Sequence, residues 1–345
     1  MVTILDVAKL AGASLGTVSN VINKTTYVSP KLTRRVLKAI RELNYHPNGM
    51  ARSLRTRASK TVGMIIPNIT DPFFPFVVRG AEDVLLDAGY QLIVGNSDDD
   101  ASKEEAYYST FRTKRVDGLL LIISPSAQAP DYLRRHGQGM VPIVLLDRYH
   151  PGLGNDVVAL DDTEGSFQAV SHLCNSGHRN IAIITGPLTL LNARMRLGGY
   201  RRALERHGVP FVQELVYEGS FDIASGHELT KSLLKTPIRP TGLFVCNPQM
   251  TIGVLRAFRD HNIRCPQDMA VVSFGDMDLF ELMRPSVSAV KLPVYDLGAT
   301  AAEILLKRIS GKLTSSAQRK VLAGELVVRE SSSRGPGSEG RAASE

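Results

Sequence analysis

Cysteine is scarce in this 345-residue chain, which has only Cys174, Cys246 and Cys265. They form no CxxC pair and have no histidine at zinc-ligand spacing, so neither a disulfide framework nor a metal site is expected. Buried neutral thiols in a reducing cytoplasm are the simplest reading. Long apolar runs are missing too, since none reaches the roughly 18 residues of a membrane helix. The start, MVTILDVAKL, lacks a basic stretch followed by an apolar one, so no secretory leader is expected. No strand end carries GxGxxG, a P-loop lysine or GxSxG, which removes the sequence grounds for nucleotide or serine-hydrolase chemistry. No cofactor is implied, and an enzyme is not the expected reading.

Acidic residues are nearly absent from the first sixty positions. Asp6 and Glu42 stand against eleven Lys and Arg, a net +9, while the other 285 residues carry 30 basic and 32 acidic groups, a net −2. A positive head on a near-neutral body is an electrostatic footprint for a polyanion. Apolar residues make up 43% of the chain, enough for a sizeable core.

The head reads as three short helices. Residues 3–11 place Thr3 at the N-cap and Asp6 at N3, with Ile4, Val7, Ala8 and Ala11 on one face. Gly12 breaks this helix, and Ser14 caps a second one running to about Asn23. The pair has the helix-turn-helix pattern. Ser29 is expected to cap a third helix, with Pro30 at N1 and Leu32, Val36, Ala39, Ile40 and Leu43 as its apolar stripe.

The segments TILDVAKLAGASLGTVSNVIN and VSPKLTRRVLKAIRELNYHPNGMARSLRT closely resemble the head of the LacI/GalR family of bacterial repressors. The resemblance implies a sequence-specific, double-stranded DNA partner, with the second helix in the major groove. It places Leu15, Gly16 and Asn20 at base-reading positions, and Thr17, Ser19 and Asn23 near phosphates. Thr3 and Ser29 complete the head's DNA-binding set. NGMARSLRTR (48–57) resembles the family's hinge helix, where Asn48, Ala51, Arg52 and Arg55 join the set and Leu54 is a minor-groove wedge. Ten residues with Gly49 near the start make a marginal helix alone. Asn20 stands where many members have Arg, and asparagine pairs best with adenine.

From Thr61 the periodicity changes. Ten apolar runs, from VGMII (62–66) to VSAVKL (287–292), alternate with helical stretches that include 75–88, 102–114, 163–176, 194–207, 224–235 and 249–261. The pattern predicts an α/β body of two doubly wound parallel-sheet lobes beside the small all-α head. Expected boundaries are 1–46 for the helix-turn-helix domain and 47–60 for hinge and linker. The body takes 61–330, with one lobe at about 61–161 and 292–325 and the other at about 162–291. Residues 331–345, SSSRGPGSEGRAASE, read as a disordered tail without an apolar repeat, so assembly is expected to stop at a homodimer.

Ligands in such folds bind beyond the carboxyl ends of the strands. There lie Asp71, Phe73 and Phe74, then Asp147 and Arg148, then Arg196, Phe221, Asn247 and Asp276. Aromatic platforms with charged and amide groups suit a polyol. The set resembles the ribose-type periplasmic binding proteins, which share the family's body fold. The resemblance implies a sugar-type effector and a cytoplasmic, nucleoid-associated repressor. Several positions depart from that pattern. Gly275 replaces a ring-binding Asp, Pro248 replaces an Asp, Asp71 replaces Asn and Lys291 replaces Gln. Lys291 either favours a sugar acid or sugar phosphate, or pairs with Asp71 or Asp276 and leaves the pocket neutral. A secreted solute-binding protein fits the body but not the basic head. A regulator that answers a phosphorylated carrier protein is a variant within the same family. The sign of the effector's action, inducer or corepressor, stays open in the sequence.

Overall fold

The computed structural model describes residues 2–23, 26–45, 58–125, 130–134, 141–150 and 152–333. The chain divides into two compact units, Met1–Ser59 and Lys60–Glu345.

In the first unit, α1 (Ile4–Ala11) opens with a capping box in which Thr3 Oγ1 accepts from the Asp6 backbone N–H and Asp6 accepts from the Thr3 backbone N–H. Gly12, at φ 55, ends it. Helix α2 (Leu15–Asn23) starts where the Thr17 N–H donates to Ser14 Oγ at 3.1 Å. Helix α3 (Pro30–Glu42) has Pro30 at its start, but the Ser29 side chain makes no capping bond, contrary to the sequence expectation. Proline at N1 already removes one of the orphan donors that a cap would satisfy. Val7, Ala8, Ala11, Val18, Val36 and Ala39 form the small core.

The second unit holds two six-stranded sheets. The first contains β1 (Thr61–Ile66), β2 (Gln91–Asn96), β3 (Gly118–Leu121), β4 (Ile143–Leu146) and β5 (Asp156–Leu160), joined by β11 (Arg319–Leu322) in the order β11-β5-β4-β3-β1-β2. The second contains β6 (Ile181–Thr185), β7 (Val216–Glu218), β8 (Gly242–Val245), β9 (Ala270–Phe274) and β10 (Ser288–Lys291), joined by β12 (Glu325–Val327) in the order β12-β10-β9-β8-β6-β7. All pairings are parallel except that of β10 with β12. Strands β3, β4, β5, β6, β8 and β9 are buried along their whole length, as expected of parallel strands covered on both faces.

The covering helices are α4 (Phe73–Asp87), α5 (Ala101–Thr113), α6 (Asp131–Arg134), α7 (Asp162–Asn175), α8 (Leu191–Arg206), α9 (Ile223–Leu233), α10 (Pro248–Asp260), α11 (Asp278–Leu282) and α12 (Val294–Ile309). The chain passes between lobes after β5, after β10 and again between β11 and β12. The third passage corrects the expected lobe boundary, because Glu325–Val327 pairs with β10 and belongs to the second lobe. Strands β11 and β12 are short, with mostly polar or exposed residues, and such edges leave no apolar run to read. The tail boundary moves too. Ser331 and Ser332 are buried, with Ser331 Oγ donating to Val271 O at 2.7 Å. The rest of the expected tail, 334–345, lies outside the described residues. Among the described residues, no helix is long and apolar enough to cross a membrane.

Candidate functional site

The carboxyl ends of both sheets open onto one cavity of about 510 Å³. All ten side chains singled out for it from the sequence line its wall: Asp71, Phe73, Phe74, Asp147, Arg148, Arg196, Phe221, Asn247, Asp276 and Lys291.

Strand β4 delivers Asp147 and Arg148, both buried. Asp147 sits at φ 54, a conformation uncommon outside glycine and found where function demands it. Its Oδ2 accepts a hydrogen bond from Asn192 Nδ2 at 3.3 Å, which links the two lobes. Its Oδ1 is buried with no partner among the described residues. Arg148 Nη1 donates to Asp99 at 2.5 Å, and the guanidinium lies 5.9 Å from the Phe74 ring centroid. Arg148 Nε is likewise buried and unpartnered among the described residues. An unmet buried donor or acceptor costs about 1–3 kcal/mol. A ligand hydroxyl, which both donates and accepts, can satisfy either group. Burial pushes the Asp147 carboxyl above its ordinary range, against the pull of Arg196 and Arg148. Burial also raises Asp71, opposed by the Phe73 backbone N–H and by Arg148.

Helix α8 carries Arg196, which is clamped on three sides. Its Nε donates to Asp162 Oδ1 at 2.7 Å and its Nη1 to Cys246 O at 2.6 Å. The guanidinium lies 4.1 Å from the Phe274 centroid and 5.7 Å from that of Phe221. Burial pushes the Asp162 carboxyl up to about 7, with Arg196 opposing. Phe221 adopts φ 62. Asn247 holds it there, donating from Nδ2 to the Phe221 carbonyl at 2.8 Å while Oδ1 accepts from the Met250 N–H as the N-cap of α10.

Asp276 is in the wall, but both its oxygens accept from Arg329, at 2.9 and 2.7 Å. Asp71 Oδ1 accepts from the Phe73 N–H at 3.0 Å. Neither carboxylate pairs with Lys291, which has no ion-pair partner among the described residues, so the neutral pairing weighed from the sequence is not formed. Sequence reading missed Asn192, Phe274, Arg329 and the supporting Asp162. Arg329 had no signal, because it arrives on a segment after the last legible strand. Asp162 follows β5 directly and was open to the strand-end rule.

The departures at 248 and 275 are coupled. Gly275 has φ 97, and a β-carbon built there would lie 3.0 Å from Pro248 Cδ and Cγ. Placing a carboxylate there with Gly275→Asp is therefore expected to destabilise the body by about 1–3 kcal/mol. Thermal unfolding reads this, and an unchanged midpoint would mean that the loop relaxes freely.

In the head, Leu15 is 44% exposed on α2, an unusual position for a leucine with no surface to meet. Gly16 is exposed beside it, with only Ser14 Oγ near its missing side chain at 3.8 Å. Helix α2 carries no charged residue, whereas α3 bears Lys31, Arg34, Arg35, Lys38 and Arg41. Thr17 Oγ1 shares a hydrogen bond with Ser14 Oγ at 2.9 Å, and Asn23 Nδ2 donates to Ser19 O at 2.8 Å. Ser19 and Asn20 are half-buried on the same helix. The hinge residues Asn48, Ala51, Arg52, Leu54 and Arg55 lie outside the described residues. Among the described residues, no group of three His, Cys, Asp or Glu side chains is placed to hold a metal ion.

Comparison with known proteins adds to this geometry. Residues 3–48 match the model of the bacterial regulatory proteins, lacI family, and residues 170–332 that of the periplasmic binding protein-like domain. The ribose operon repressor of Escherichia coli strain K12 is 37% identical over 330 residues, 95% of this chain and 99% of that protein. Among solved structures, a transcriptional regulator CelR–cellobiose complex is 31% identical with a TM-score of 0.73, covering 96% of this chain and 100% of that one. The lac repressor dimer bound to operator and the anti-inducer ONPF superimposes with a TM-score of 0.87 at 27% identity, over 96% and 99% of the two chains.

Proposed function

This chain belongs to the lacI family of bacterial regulatory proteins, and from that premise we propose that a small sugar-type effector, bound between the two body lobes, sets its affinity for operator DNA. The chain is a DNA-binding transcriptional repressor rather than an enzyme. One observation carries the effector reading. The buried Asp147 Oδ1 and Arg148 Nε lack partners among the described residues, in a cavity lined by aromatic rings and open between the lobes. Two further findings support it: a structural neighbour is a cellobiose complex, and a relative is the ribose operon repressor. A sugar acid or sugar phosphate is the second reading, favoured by Lys291, whose charge faces the cavity without an ion-pair partner among the described residues.

The assembly that fits is a homodimer on a near-palindromic operator, with two heads one half-site apart. In this scheme the protein works in the cytoplasm, on the nucleoid. Effector binding moves the equilibrium only by its differential affinity for two states. A thermal-shift screen over pentoses, hexoses, sugar acids and sugar phosphates tests the ligand class. A bound effector at a hundredfold excess over its dissociation constant stabilises the body by roughly 2.7 kcal/mol. If only neutral sugars respond, the Lys291 reading fails. Gel shifts with and without the responding compound then read whether it induces or corepresses.

A further inference from the structure

We propose that Asp99, which stands outside the cavity wall, is a positioning residue for effector recognition: it fixes the Arg148 guanidinium and cancels its charge, so that Arg148 offers Nε to an uncharged hydroxyl. This rests on the sugar-type reading of the cavity. Arg148 lines the wall, and its side chain is 7% exposed. Its Nη1 donates to Asp99 Oδ1 at 2.5 Å, and its Nε is buried with no partner among the described residues. Asp71 and Asp147 line the same wall, yet among the described residues it is Asp99 that forms the ion pair.

The turn that carries Asp99 joins β2 to α5, and its three consecutive aspartates have different tasks. Asp98 Oδ1 accepts from Asn96 Nδ2 at 2.5 Å, and the Asp98 carboxylate pairs with Lys103. Asp100 Oδ1 caps α5, accepting from the Ser102 and Lys103 backbone N–H groups at 2.7 and 3.2 Å. The two outer carboxylates thus hold the turn, and the middle one holds Arg148. Asn96 also ties the turn to the loop after β1, since its Oδ1 accepts from the Ile69 N–H at 2.7 Å. Asp98 and Asp99 sit at φ 54 and φ 57. Successive non-glycine residues in the left-handed region are uncommon and persist where the surrounding structure over-determines them. Glycine takes that conformation without steric cost, so it is the carboxylate at 99, rather than the path of the chain, that calls for aspartate.

Charge matters here as much as position. An arginine on a cavity wall with no counter-ion draws an anionic group from the ligand. Paired with Asp99, Arg148 carries no net charge into the cavity, and its buried Nε suits one lone pair of a hydroxyl. The field of Asp99 reaches the wall as well. Burial raises the Asp71 carboxyl, Arg148 opposes that rise and Asp99 reinforces it. The Asp99 side chain is 40% exposed, so water covers its outer side and the pair adds little to the stability of the fold. Its effect falls on recognition.

Calorimetric titration of the full-length protein tests this with matched probes: D-glucose with D-glucuronate, D-galactose with D-galacturonate, and D-ribose with D-ribose 5-phosphate. Asp99→Asn keeps an acceptor for Arg148 but not the charge. It is expected to raise the ratio of anionic to neutral affinity at least fivefold in a pair that binds, with the neutral sugar's own affinity nearly unchanged. Asp99→Gly accepts the backbone but removes the side chain. It is expected to lose tenfold or more in affinity for the neutral sugar while its thermal unfolding midpoint is kept or rises. A ratio unmoved in Asp99→Asn overturns the charge role. A midpoint that falls in step with affinity in Asp99→Gly makes Asp99 a structural residue and overturns the positioning role. Binding of no probe to the wild-type protein overturns the sugar-type reading instead, and the position of Arg148 is then decided without a ligand. Phenylglyoxal, followed by peptide mass spectrometry, is expected to modify Arg148 at least fivefold faster in Asp99→Gly than in the wild type, and equal rates overturn the proposal.

Discussion

Arg196→Met is expected to lower the stability of the body by about 3–5 kcal/mol, the loss typical when one partner of a buried ion pair is removed. Arg196 and Asp162 have side-chain exposures of 7% and 2%, so water cannot replace the missing guanidinium. The Cys246 carbonyl loses its donor as well, and the Phe274 and Phe221 rings lose the cation between them. The damage therefore reaches β8, β9 and the Phe221 turn, and effector affinity falls with it.

The pH dependence separates charge from packing. Burial already holds Asp162 at about 7 beside Arg196, and removing the cation raises it further. A carboxyl whose folded pKa lies above its unfolded value binds protons preferentially in the folded state. Both proteins carry the cost of that preference equally up to about pH 7, so the variant's deficit is flat below it and grows as pH climbs from about 7 towards the variant's higher folded value. Urea unfolding at pH 5 and pH 8 reads this directly. Adding Asp162→Leu to the variant removes the stranded charge and is expected to recover much of the loss. A double variant no more stable than the single one would place the cost in packing instead.

Strong periodicity makes most of this fold legible in the sequence. The ten apolar runs are ten of the twelve strands, and the six buried along their whole length carry the uninterrupted apolar signature of a strand covered on both faces. Short edges leave none, which is why β11, β12 and the third passage between lobes escaped. The site was legible for a different reason. Parallel topology forces loops at the carboxyl ends of strands to converge, so residues chosen by that rule reached one cavity together. Their partnerships could not be read. That Asp276 is held by Arg329, and that Asn247 caps α10 while steadying Phe221, depends on contacts between distant segments. The coupling of Pro248 to Gly275 is a backbone effect that residue identities alone do not display.

The head invites the opposite experiment, in which a contact is added. Asn20→Arg is expected to move the preferred base opposite this position from adenine to guanine. The discrimination is about 1–3 kcal/mol in each half-site. Two heads on a palindromic operator double that where the half-sites act independently. Space is available, since Gly16 one turn earlier has only Ser14 Oγ within 4 Å of its missing side chain. The background is electrostatically quiet as well. Helix α2 has no charge of its own, and the described basic residues of the head cluster on α3. Phosphate attraction from those residues should be nearly the same in both proteins, so the change appears in sequence preference rather than in general affinity. Binding-site selection at one fixed salt concentration, run on both proteins, decides the matter. A wild-type protein that already selects guanine at that position would overturn the reading of Asn20. If the new guanidinium grips a phosphate instead, affinity rises alike for all sequences and the slope of log affinity against log salt steepens by about one.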